Sequence, residues 1–149
     1  MSEASEERVY DYLDQVRELD RRIETKIWER RQIMDMATRL SAPMDGMPKG
    51  KGTPSDLVGD CAVRLAMLAK ELDEAIDRYV DTKQEVVSNL ERLEPEECDV
   101  LHRHYILYQT WEQVAETMSY SYTSVWRIKK RAIRHLGEIL SQKAKDEIV

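Results

Sequence analysis

Residues 41–55 read SAPMDGMPKGKGTPS, three prolines and three glycines within fifteen residues. Proline removes a backbone donor and glycine costs backbone entropy, so neither helix nor strand is expected through this stretch. On each side lies a long apolar stripe at helical spacing. Upstream it runs Val9, Leu13, Val16, Leu19, Ile23, Ile27, then Met34, Ala37 and Leu40, with a break at Arg30 and Arg31. Downstream it runs Leu57, Cys61, Leu65, Leu68, Leu72, Ile76, Tyr79, then Val86, Leu90 and Leu93. Steps of three and four put each stripe on one helix face. A helix of roughly 36 residues is about 54 Å long at 1.5 Å per residue, too long to bury in a small globule. Two such helices joined by a loop at 41–55 predict an antiparallel, coiled-coil-like hairpin over 1–92. Thr53 before Pro54 suits an N-cap with a first-turn proline.

Residues 57–69, LVGDCAVRLAMLA, are apolar around most of the helix. A two-helix hairpin uses only one face, so the excess predicts a homo-oligomer, a dimer or tetramer. Packing of this stretch on the C-terminal part is the plainer alternative.

Pro95 marks a second boundary and the first turn of a new helix, 95–107. Thr110 and Gln113 have capping-box spacing at the head of a short helix, TWEQVAETM. Ser121 caps a third helix reaching about Leu140. The fold class expected is therefore all-α, with a three-helix domain over 93–149.

Charge follows the same division. The chain of 149 residues has a net charge of −6. Residues 1–118 hold 16 Lys and Arg against 26 Asp and Glu, whereas residues 119–149 hold 7 against 3. Tyr122 to Leu136 contains Arg127, Lys129, Lys130, Arg131 and Arg134 and no acid. A basic patch on an acidic body is the electrostatic footprint of a nucleic-acid contact, although a basic run can also be a solvated face.

The stretch WEQVAETMSYSYTSVWRIKK has the pattern of a helix-turn-helix. Ala115 is the small residue at the helix crossing, and Val114, Met118, Tyr120, Val125 and Ile128 are spaced to fill the angle between helices. The turn is Met118-Ser119-Tyr120. Such a motif lays the early residues of its second helix in the major groove. Tyr122, Thr123, Ser124 and Arg127 are the candidates for base edges, since Arg pairs bidentately with guanine and Tyr, Thr and Ser hydrogen-bond or touch a thymine methyl. Thr110, Gln113, Lys129, Lys130, Arg131 and Arg134 are the candidates for phosphates, which position without specifying. Trp126 lies about 100° around the helix from Arg127 and is expected in the core.

From Leu93 to Leu136, LEPEECDVLHRHYILYQTWEQVAETMSYSYTSVWRIKKRAIRHL resembles the region-4 domain of sigma-70 factors. Glu112, Val114, Ala115, Ser121, Ser124, Val125, Arg127, Lys130, Arg131, Ala132 and Leu136 match that pattern. Ser119 stands where the family commonly has a turn glycine, and Trp111 and Trp126 are bulkier than usual. Nothing upstream resembles sigma region 2. A helical N-terminal part followed by a region-4-like C-terminus is similar to phage transcriptional regulators of the RinA/ArpU type. The resemblance implies sequence-specific binding of double-stranded DNA and control of phage late genes, with RNA polymerase as a further candidate partner that nothing in the sequence itself marks. A packaging adaptor similar to small terminase, or a protein-interaction module that binds RNA polymerase, is the alternative.

Other chemistry finds little support. GMPKGKGT lacks phosphate-loop spacing and its hydroxyl residue, so it is expected to be a linker whose Lys49 and Lys51 lie within reach of DNA. Cys98 and His102 share a helix face, but His104 points elsewhere and His135 is far along the chain, so no metal is expected. No nucleophile elbow, metalloprotease pair or dinucleotide fingerprint is present, so neither an enzyme nor a cofactor is expected. No apolar run approaches the roughly 20 residues that span a bilayer. The acidic N-terminus is no secretory signal, and Cys61 and Cys98 without a framework of pairs fit the cytoplasm.

Overall fold

The computed structural model describes residues 2–41 and 54–148. The expected loop, the Thr53 cap, Lys49 and Lys51 lie largely outside these residues. Five helices account for almost all of the described chain, and no strand occurs among them: α1 (Glu3–Ser41), α2 (Pro54–Leu90), α3 (Pro95–Tyr105), α4 (Trp111–Met118) and α5 (Tyr122–Ile148). No helix among the described residues is long and apolar enough to cross a membrane.

Packing divides the chain into two compact units. One comprises Met1–Leu19 with Tyr79–Val149. Its main core joins Val9, Leu13 and Val16 of α1, Val86 and Leu90 of α2, Leu101 and Tyr105 of α3, and Ala132, Ile133 and Leu136 of α5. Residues 93–149 thus do not close this core alone; they use the apolar stripes on the ends of α1 and α2. Polar contacts tie the same elements. Asn89, almost fully buried, donates from Nδ2 to the Tyr12 hydroxyl at 2.6 Å and accepts from Lys143 Nζ at 3.4 Å.

A second core in this unit sits where α3, α4 and α5 meet: Val100, Val114, Ala115, Val125 and Ile128, with Trp111 and Met118 packed against it. The small Ala115 occupies the crossing, as its size predicts. Tyr120, expected in the same angle, is instead exposed. It lies just past the helix end, and its hydroxyl hydrogen-bonds to Glu96, which together with that carboxylate's charge raises its pKa.

The other unit is Asp20–Arg78. Ion pairs link its two helix segments in antiparallel register. Lys26 Nζ lies 3.3 Å from Glu71 Oε2, and Arg64 reaches Glu29 Oε1 at 2.7 Å and Glu71 Oε1 at 3.5 Å. Its apolar burial is thin: Ile23, Cys61 and Leu68.

Candidate nucleic-acid interface

The turn between α4 and α5 is built by backbone hydrogen bonds at the end of α4. Ser119 is left-handed, at φ 58 and ψ 38. The Tyr120 N–H reaches back to the Ala115 carbonyl at 2.9 Å, and the Ser119 N–H reaches Glu116 at 3.2 Å. This six-to-one closure ends a helix and turns the chain within three residues. A serine there bears the steric cost that a glycine avoids.

The starts of α4 and α5 are capped as the sequence predicts. Thr110 Oγ1 accepts from the Gln113 N–H at 3.2 Å, and Gln113 Oε1 accepts from the Thr110 N–H at 2.9 Å. Ser121 Oγ accepts from the Ser124 N–H at 3.1 Å and donates to Ser124 Oγ at 2.9 Å. The acceptor groups of Thr110 and Gln113 are therefore engaged in the cap, which leaves the Thr110 O–H and the Gln113 amide NH₂ as donors. Ser124 is half-buried and tied to Ser121, while its neighbours are open: Tyr122 is 49% exposed, and Thr123 and Arg127 are exposed.

The six phosphate candidates divide by their surroundings. Lys130 and Arg134 are exposed and make no ion pair among the described residues. Arg131 is committed elsewhere: Nη2 lies 3.0 Å from Glu96 Oε2 and Nε lies 3.4 Å from Glu97 Oε2. The hydrogen bond to Glu96 leads the causes that raise its pKa. Lys129 turns inward. It is only 9% exposed, and its Nζ lies 4.3 Å from the Trp126 ring centre, 4.9 Å from Trp111 and 5.2 Å from Tyr10. Burial lowers its pKa, but three ring faces favour the cation. Lys129 is thus an anchor between α5, α4 and α1, with its charge withdrawn from the surface.

Trp126, expected in the core, is 42% exposed. Its position on α5 falls outside the buried arc of Val125, Ile128 and Ala132, and its face covers the Lys129 ammonium. Trp111 packs deeper. His104 stacks on it with centroids 3.8 Å apart, and His104 Nδ1 lies 2.6 Å from the Gln109 carbonyl. Burial lowers the His104 pKa despite that hydrogen bond.

Beneath α5, Glu97 is fully buried, an unusual place for a carboxylate. His135 Nδ1 lies 2.7 Å from Glu97 Oε2, and Arg131 completes the contact. No group of three His, Cys, Asp or Glu among the described residues is arranged to hold a metal ion. Further along α5, Arg134 and Lys145 line a groove with Arg8 of α1 and one acid, Glu138.

The periodicity of α5 carries a signal for the Lys129 site that a charge count hides. Lys129 is one turn from Val125 and one turn from Ile133, both buried. Glu97 shares the face of Val100 and Leu101 in the same way. Compared with protein-family models, curated proteins and solved structures, the chain matches none.

Proposed function

We propose that this chain is a sequence-specific double-stranded DNA-binding transcriptional regulator, built as a helical hairpin followed by a region-4-like helix-turn-helix domain. The observation that carries the reading is the outward face at the start of α5. Tyr122, Thr123, Arg127, Lys130 and Arg134 are exposed on it with no acid between them, just after a tight turn. A cationic helix of about 10–12 Å diameter matches the roughly 12 Å width of the major groove. Tyr122, Thr123 and Arg127 read base edges. Lys130 and Arg134 hold phosphates, with Gln113 donating from the head of α4. Lys129 and Arg131 position the helix. Phage or prophage origin rests on the resemblance alone, and RNA polymerase is a further candidate partner. Several copies on repeated half-sites would multiply affinity through effective concentration.

Selection of bound fragments from random duplex DNA, followed by a salt series on the winning sequence, tests the reading. Affinity should fall steeply as salt rises. Arg127→Ala should relax sequence preference and cost about 1–3 kcal/mol, whereas Lys130→Ala should weaken all duplexes alike. Absence of duplex binding at low salt would instead favour a protein-interaction module. A ring of eight or more subunits would favour a packaging adaptor.

A further inference from the structure

The Asp20–Arg78 unit leaves large apolar side chains in water. Ile27, Trp28, Met34, Met36, Leu57, Val63, Met67 and Ile76 are exposed, against three buried hydrophobic residues. On α2 the side facing α1 is marked by buried Cys61 and Leu68 and by Arg64, which reaches Glu29. The opposite side presents Asp56, Gly59, Asp60, Val63, Met67 and Lys70, all exposed. Val63 and Met67 are 62% and 53% exposed, and the space around Gly59 is empty to 4 Å.

We propose that a second copy of this chain covers this face, with the two α2 helices antiparallel and their two-fold axis passing at Val63. In that register Val63 meets Val63 of the second copy. Met67 enters the open space above Gly59, where the absence of a side chain permits close approach. Lys70 lies opposite Asp56 of the other copy and one helical turn from its Asp60. None of these three charged groups makes an ion pair among the described residues of its own chain. The charge order selects the direction. A parallel pair in register sets Lys70 against Lys70 and Asp60 against Asp60, which is unfavourable, whereas the antiparallel pair alternates the signs. A two-fold contact of this kind uses one patch twice, so small against large and acid against base must both be encoded within a few turns of one helix. Here they are.

The inference deepens the self-association part of the proposed function and is tested without DNA, so its failure leaves the α5 contact standing. Sedimentation of the intact chain should give about 35 kDa, twice the 17.5 kDa of one copy. Val63→Cys should form a disulfide-linked dimer under mild oxidation. Met67→Cys, which meets Gly59 in this register, should not, and the chain with only Cys61 and Cys98 should stay uncrosslinked. Lys70→Glu should raise the dimer dissociation constant about ten-fold, two symmetry-related pairs being lost, and Lys70→Glu with Asp56→Lys and Asp60→Lys should restore it. Circular dichroism confirms that each variant keeps its helix. A folded chain that remains at 17.5 kDa at high concentration overturns the proposal. So does crosslinking by Met67→Cys as readily as by Val63→Cys, which would mean a parallel pair.

Discussion

The ammonium of Lys129 sits 4.3 Å from the ring centre of Trp126, with Trp111 and Tyr10 closing the other sides. Lys129→Met keeps the stem and removes the charge. It should lower stability by about 1–2 kcal/mol, the range for a desolvated cation over aromatic rings, measured by urea unfolding. The salt slope of duplex binding should stay unchanged, because this charge meets no phosphate. Lys130→Met should leave stability within about 0.5 kcal/mol and reduce that slope by about one.

Ser119 holds a left-handed backbone at φ 58. Ser119→Gly should stabilise the chain by about 0.5–1 kcal/mol, relief of steric cost exceeding the entropy that glycine loses. Ser119→Val, branched at Cβ, should do the reverse. Thermal unfolding of the pair checks both signs.

Glu97 is sealed beneath α5 with His135 and Arg131. Glu97→Ala leaves a cavity and takes the shared acceptor from His135 Nδ1 and Arg131 Nε, and should cost about 2–4 kcal/mol. Both side chains are partly exposed and remain solvated, which keeps the loss below that of a fully buried pair. Denaturant midpoints at pH 7 measure it.

His104 titrates below its ordinary value because burial disfavours its charged form. The unfolded chain takes up this proton near pH 6.5, before the folded chain does. Stability is therefore full above about pH 7 and falls as pH drops from the ordinary value towards the folded one. His104→Gln should flatten that decline between pH 7 and 5.5, read from urea unfolding at each pH.

Much of this architecture was legible because periodicity and capping are local. The stripes from Val9 and from Leu57 mark the long helices, Pro95 opens α3, and the Thr110–Gln113 pair heads α4. Side-chain direction within a charged run was less legible. Lys129 sits among Arg127, Lys130 and Arg131 and reads as one more surface cation; only its distance of one turn from Val125 and from Ile133 betrays the buried side. Its partner Tyr10 lies near the other end of the sequence, and no local pattern joins them. Trp126 reads as core because it points about 100° away from Arg127, yet it lies on the rim as a lid over a charge. The closing of α1 and α2 onto α5 likewise depends on long-range packing that composition does not encode.

Helix α5 is a single unbroken rod of 27 residues, about 40 Å at 1.5 Å per residue. Tyr122 and Arg127 stand at one end, and Lys143 grips Asn89 near the other. Such a rod moves largely as a whole, since a sharp kink would interrupt its ladder of hydrogen bonds. The angle at which α5 presents Arg127 is therefore set jointly by the Lys143 contact, about 24 Å away, and by the Lys129 anchor between them.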